Sequence, residues 1–276
     1  MEIKYLADKN SYKRMTTEEL RRSYLVENLF TRAKIQLYYI DVDRAIVGSV
    51  VPTTKKLALS SAKELASKYF AERREIGVIN IGKKGFITVD GKQFKLKNRD
   101  CLYISRGSKA IVFGSANAKD PAKYYLMSYP GHTAHPTKLI TRDEANKVAL
   151  GSDSNANKRV IYQMIRPGVA KSCQIVMGYT ELAEGNIWNT MPPHTHERRS
   201  EVYMYFDLNK KARVFHFMGE PAEIRSLVMK DGQAVISPSW SIHAGAGSSN
   251  YSFIWCMGGE NQEFDDMDFV EMGDLR

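Results

Sequence analysis

The stretch MPPHTHERRSEVY, residues 191–203, places His194, His196 and Glu201 within eight residues. Positions i and i+2 of a strand point to one face, so both imidazoles can reach one ion. The four residues between His196 and Glu201 leave room for a tight bend that returns the carboxylate to the histidines. Two histidines and one carboxylate form a competent base for a divalent cation with open positions. Taken alone, the segment reads equally well as a metal site or as a polar strand end. A second segment decides between them. DGQAVISPSWSIH, residues 231–243, reads as a turn, a buried strand and a loop ending in His243. The pair of segments has the spacing HxH-x4-E followed by G-x5-P-x4-H, and adds a third imidazole to the set.

Outward from these segments, most of the chain reads as short strands rich in β-branched and aromatic residues. The first half offers IGVINIG, GFITV, KQFKL, CLYIS and AIVFGS, with Asp90-Gly91 as a hairpin turn. The second half offers RVIYQMIR, CQIVMGYTEL, EVYMYF, ARVFHFM, IRSLVM, QAVIS and YSFIWCMG. Many short strands at close spacing predict an all-β sandwich or barrel. Helical signals are few. Thr16 and Glu19 have capping-box spacing ahead of Leu20 and Tyr24. The run SSAKELASKYFAERRE, residues 60–75, predicts a second helix from its content of Ala, Lys, Glu and Leu.

A polar, turn-rich stretch at about residues 130–158 separates the halves. It contains His132 and His135, read as a solvated loop because no nearby carboxylate or third histidine accompanies them. The halves carry a faint repeat. Glu72-Arg73-Arg74-Glu75 precedes IGVINI much as Glu197-Arg198-Arg199-Ser200-Glu201 precedes VYMYF, and CLYIS parallels QAVIS. Aligning Glu75 on Glu201 sets Lys68 and Phe70 opposite His194 and His196, and aligning CLYIS on QAVIS sets Ile111 opposite His243. The expectation is a tandem fold with one site: a ligand-free first half, residues 1–135, and a metal-binding second half, residues 136–276.

Composition bounds the rest. The 276 residues are 43% hydrophobic and 11% aromatic, ample for a sizeable core. No run of 18 apolar residues predicts a membrane span, and the N-terminus lacks a secretion signal. Three separated cysteines, Cys101, Cys173 and Cys256, read as free thiols of a reducing, cytoplasmic compartment. The net charge of +9 divides into an acidic tail of −6 from residue 260 onward and a dispersed +15 before it. No basic block predicts nucleic-acid binding.

The two spaced motifs resemble the paired signature of cupin barrels, in which such residues converge inside the barrel. Trp240 stands where cupins usually have Gly, and Gly247 where Asn is common. The longer runs SYLVENLF, YFAERREIGVINIG, GNIWNTMPPHTHERRSEVYMYF, QAVISPSWSIHAGAG and FIWCMGGENQEFDDMD resemble the 5-dehydro-4-deoxy-D-glucuronate isomerase family along essentially the whole chain. Trp240 belongs to that family's version of the second motif. The resemblance implies a bicupin of β-barrels or sandwiches, with a few short helices near the N-terminus and between strands. It implies one Zn2+ per subunit held by His194, His196, Glu201 and His243, with no organic cofactor. It further implies a cytoplasmic homo-oligomer, a hexamer, acting on a small anionic sugar acid in the catabolism of unsaturated uronates from pectin or glycosaminoglycans.

The implied chemistry is an aldose–ketose isomerisation, whose enediolate a divalent cation stabilises. Glu197, Tyr203 and Tyr205 are candidate bases by proximity, and a hydride shift is equally compatible. Arg166, Arg198, Arg199, Arg213 and Arg225 are candidates for the substrate carboxylate. His216 reads as a core or surface histidine. A metal-dependent oxygenase, a sugar-sensing module and an inactive paralogue stay open as alternatives.

Overall fold

Strands covered on both faces lose the alternation of apolar and polar residues and read as continuous buried runs. In the computed structural model, which describes residues 1–276, Arg74–Asn80 and Arg199–Phe206 are buried along their whole lengths, as are Cys101–Ile104 and Ala234–Ser237. The molecule is mainly β, with two such layered units and one short α-helix.

The first unit comprises residues 1–4, 28–145 and 163–177. Its larger sheet runs in the order Glu2–Lys4, Ile35–Ile40, Ile46–Val50, Tyr124–Pro130, Arg74–Asn80, Cys101–Ile104 and Lys138–Ile140. A four-stranded sheet of Leu57–Ala58, Ile111–Ser115, Gly85–Val89 and Lys92–Leu96 completes it. Side chains from both sheets, among them Val78, Ile87, Leu102, Phe113 and Tyr124, share one core. The hairpin expected at Asp90-Gly91 is present. Both residues have positive φ, 47° and 86°, and Val89 pairs with Lys92 across the turn.

The second unit comprises residues 5–27, 146–162 and 178–276. Its larger sheet places Ser252–Gly259, Arg199–Phe206, Ala234–Ser237 and Leu25–Val26 side by side, and its smaller one Trp188–Asn189, Ile242–Gly247, Val214–Glu220 and Glu223–Met229. The strand order repeats that of the first unit, and so does the register. Glu75 pairs with Tyr129 as Glu201 pairs with Met257, while Ile76 pairs with Ile104 as Val202 pairs with Ile236. The alignment of Glu75 on Glu201 is therefore a structural equivalence.

The units interleave in sequence instead of meeting at one point near residue 135. Residues 5–27 join the second unit because Leu25 and Val26 add a strand beside Val235 and Ala234, and because Arg225 donates to the Tyr12, Lys13 and Met15 carbonyls. Residues 163–177 join the first because the Glu75 carboxylate accepts from the Cys173, Gln174 and Ile175 amides at 2.6, 2.7 and 3.0 Å.

Thr16 caps the Thr17–Tyr24 helix through a reciprocal box with Glu19. The helix expected over 60–75 does not form. A single 3-10 turn, Lys63–Leu65, ends at Ala66 in the left-handed conformation, where Arg73 donates to the Leu65 and Ala66 carbonyls. Phe70 and Ala71 must both enter the barrel core and Arg74 must start a strand, so tertiary burial overrides local propensity.

Glu75 is fully buried and also accepts from the Tyr103 hydroxyl at 2.8 Å, so one carboxylate satisfies four donors. Glu75→Ala strands those donors and is expected to lower unfolding stability by about 2–4 kcal/mol, read from denaturant midpoints.

Candidate metal centre

His194–Thr195 is a two-residue strand at the edge of the second unit, paired with Asp268–Phe269 so that His194 faces Phe269. The chain then turns. The Arg199 amide donates to the His196 carbonyl at 3.1 Å, and the His196 ring Nδ1 meets the Arg199 carbonyl at 3.0 Å. This reciprocal pair is the bend that the four-residue gap required. It delivers Glu201 onto the central strand opposite Ser237, with its carboxylate facing back to the histidines.

The second motif arrives from the facing sheet. Ser241 closes a turn on Pro238 and anchors the Gly219 amide, and His243 enters the Ile242–Gly247 strand opposite Met218. Its Nε2 lies 2.9 Å from Glu201 Oε2 and 3.0 Å from His194 Nε2, while His196 Nε2 lies 3.1 Å from the same carboxylate oxygen. All four donor atoms fall within 4.8 Å of one another. His196, Glu201 and His243 are buried; His194 is partly exposed, at the mouth.

Burial works on these groups in opposite senses. It drives the His194 imidazolium down to about 2, with His243 adding to the effect. Burial alone would raise the Glu201 carboxyl, but the His243 and His196 imidazoles outweigh it and hold the group below the ordinary carboxylate range. His196 is raised, because its hydrogen bond to Glu201 overcomes the cost of burying its charge.

The donor set fits a divalent transition metal. His196 is fixed through Nδ1 to a backbone carbonyl, leaving Nε2 turned to the cluster, the tautomer control typical of ligating histidines. Separations of 2.9–3.1 Å between neighbouring donors match ligands sharing an ion at about 2.1 Å. Three imidazoles and a carboxylate would hold Zn2+ or a neighbouring first-row ion.

Other groups assigned from sequence separate cleanly. Arg198 forks onto the Asp266 and Asp268 carboxylates, and Arg199, almost wholly buried, donates to the Glu263 and Asp266 carbonyls at 2.6 Å each. Both strap the acidic tail beside the His194 strand. Arg213 and Arg225 are spent on backbone carbonyls, and Arg166 on Gln163 and Pro167. Glu197 is exposed. Tyr203 and Tyr205 are buried, and burial lifts both phenols well above their ordinary value, Tyr203 with help from Glu201. Both therefore stay protonated near neutrality and serve as hydrogen-bonding groups.

One residue escaped the sequence reading. Arg159 spends one nitrogen on the Asn157 carbonyl, and its charge is felt by Tyr203 and Tyr251. His216, read from the sequence as a core or surface histidine, lies in the core, fully buried, with Nδ1 at 2.8 Å from the Tyr205 hydroxyl. Alternation with the outward Phe215 and Phe217 was its one signal.

Comparison with known proteins agrees with this picture. Residues 24–272 match the model of the KduI/IolB family. The 4-deoxy-L-threo-5-hexosulose-uronate ketol-isomerase of Lachnoclostridium phytofermentans is 50% identical over 276 residues, all of both chains. The protein of that name from Escherichia coli O45:K1 is 51% identical over 266 residues, 96% of each chain. Among solved structures, an IolB-like protein of Salmonella typhimurium aligns with a TM-score of 0.73 at 13% identity, covering 90% of this chain and 96% of that one. Oxalate decarboxylase of Lactobacillus farciminis aligns at 0.56 and 8% identity, covering 83% and 79%. At these identities the two structures speak for the cupin-type fold alone. The chain belongs to the KduI/IolB family.

The tail clamp yields a prediction. Arg199→Lys loses the planar fork whose two nitrogens reach separate carbonyls, so the segment after residue 260 should become sensitive to limited proteolysis, and equilibrium dialysis should show weaker metal binding.

Proposed function

We propose that this family member is a zinc-dependent ketol-isomerase that converts 5-dehydro-4-deoxy-D-glucuronate into 3-deoxy-D-glycero-2,5-hexodiulosonate. The observation that carries the reading is full-length identity of about half with relatives bearing the ketol-isomerase name, in a chain whose His194, His196, Glu201 and His243 converge. The setting we infer is a cytoplasmic homo-oligomer, a hexamer, that consumes unsaturated uronates released from pectin or glycosaminoglycans.

The reaction moves a proton from C2 to C1 and the hydroxyl proton from O2 to O1, turning the C1 aldehyde into an alcohol and the C2 alcohol into a ketone. Nothing is oxidised or reduced overall. A cation held by the four ligands would supply electrostatic stabilisation of the negative charge that develops between those carbons. The chain's own residues orient and enclose the substrate. Protonated Tyr203, buried and edge-on to His243, offers a hydrogen bond that acts with little competition from water. With Glu197 exposed and both phenols protonated, none of the three is suited to be the base, and a hydride shift between C2 and C1 gains ground.

The substrate carboxylate lies at the opposite end of the acyclic chain from the reacting carbons. It needs a cation beside the chamber, away from the metal ligands. Arg159 meets that requirement, since the five arginines suggested by the sequence are committed to other bonds.

Purified protein supplied with the product of an unsaturated-uronide hydrolase should form the diulosonate. Chelation should abolish turnover, and zinc should restore it. His196→Ala should lower kcat/KM by about a thousandfold. Full activity in rigorously metal-free protein would sink the mechanism. Arg159→Ala should raise KM by about tenfold or more while metal content stays unchanged, and Arg159→Lys should recover part of the loss.

A further inference from the structure

His216 is a neutral histidine sealed inside the second unit, and its surroundings fix which nitrogen carries the proton. The Tyr251 hydroxyl has one hydrogen, directed at the Ile187 and Gly245 carbonyls at 3.1 and 3.2 Å. It therefore accepts from Asn189 Nδ2, 2.6 Å away. The hydrogen-bond partner of the Tyr205 hydroxyl is His216 Nδ1, 2.8 Å away. Were Nδ1 to donate, the Tyr205 proton and Nε2 would both lack partners, so Tyr205 donates to Nδ1. With Nδ1 accepting, the imidazole proton sits on Nε2. Gly245 lets this relay assemble, because a Cβ there would stand 2.8 Å from Asn189 Nδ2 and 2.9 Å from the Tyr205 oxygen.

The Nε2–H at the end of the relay has no partner in the protein. A buried donor without an acceptor costs about 1–3 kcal/mol, so its retention calls for a physical reason. Its place supplies one. His216 faces Gly245 across the strand pair and Met218 faces His243, so the two histidines lie on one face, one ladder step apart. The Tyr203 ring is edge-on to both, with centroids 5.9 Å from His216 and 5.3 Å from His243. Two further buried polar atoms lack partners: Asn189 Oδ1 on the same sheet as His216, and Ser237 Oγ on the larger sheet, opposite Glu201. Polar atoms left open beside a four-ligand cluster describe the floor of a chamber for a polyhydroxylated ligand.

We propose that His216 touches the substrate, donating its Nε2–H to the oxygen of the reacting carbons on which negative charge develops. The proposal rests on the isomerase reading for the identity of that oxygen. It rests on the relay alone for the tautomer. No proton leaves His216: the imidazole stays neutral and polarises the oxygen through a hydrogen bond. Burial, followed by the nearby His243, holds its imidazolium down to about 3, which keeps it neutral across the working range.

The test uses zinc-loaded protein and two readouts. Long-range 1H–15N correlation spectra of histidine-labelled protein report the tautomer of His216, assigned by its loss in His216→Gln. Nε2–H is expected. Nδ1–H overturns the proposal, whatever the activity of the wild type. The second readout compares two isosteres at matched metal content. The Gln amide nitrogen overlays His Nε2, whereas the Asn amide nitrogen overlays Nδ1. His216→Gln should stay within about fivefold of wild type, while His216→Asn should lose about 10–100-fold in kcat with little change in KM. Equal activities of the two variants, whether both high or both low, overturn the assignment. A wild type inactive on the keto-uronate would count against the isomerase reading, with the tautomer still deciding the relay.

Discussion

An ionised carboxylate at the centre of a β-barrel costs several kcal/mol unless positive or donating groups meet it, and Glu201 is that carboxylate. Its strand is buried along its whole length, so bulk solvent does not reach it. The histidines answer the constraint. His196 and His243 close on one of its oxygens from two different segments, and His194 completes the ring. Much of the second unit's geometry follows, because each imidazole must be brought to this point. The 196–199 turn serves His196, the Pro238–Ser241 turn serves His243, and the pairing with Phe269 serves His194.

The first unit meets the same constraint by other means. Glu75 occupies the same register on the equivalent strand and is equally buried. The strands of the first unit carry no histidine, so it has no imidazole to meet. Three backbone amides and the Tyr103 hydroxyl take their place. One barrel thus uses its glutamate to gather three imidazoles, while the other uses it to pin the 173–175 segment. A buried acid kept at the same position serves chemistry in one case and tethering in the other. What separates them is the set of donors within reach.

Legibility in the sequence followed the range of the interactions. The HxH pair, the returning Glu201 and the Asp90-Gly91 turn are local, and strand parity or turn chemistry is enough to read them. His243 was legible because its motif has its own turn and strand grammar. The 60–75 segment misled because its composition favours a helix, whereas Phe70, Ala71 and Arg74 answer to a core and a sheet that local sequence does not contain. The tail clamp, Arg159 and the His216 relay stayed hidden for the same reason. Asn189, Tyr205, His216 and Tyr251 share no period, and only the folded barrel sets them in a row. The opposite charges of Arg198-Arg199 and the last seventeen residues were visible, but not that each was the other's partner.

Segments remote in sequence support the centre from both sides. Near one end of the chain, Tyr12 lies against Trp240 with ring centroids 4.9 Å apart, and its hydroxyl bridges the Glu220 amide and the Glu223 carbonyl. That contact braces the loop that delivers His243, and it gives Trp240 a reason to stand where a glycine would leave a gap. Near the other end, Asp268 and Phe269 pair with the His194 strand while Asp266 and Glu263 engage the two arginines. The ligands come from the middle of the second unit, but their positions depend on residues 12 and 260–270. A centre built in this way reaches its final geometry only after the most distant contacts have closed. Substitutions at Tyr12 or Arg199 therefore act on metal affinity through the positions of His243 and His194, without touching the ion.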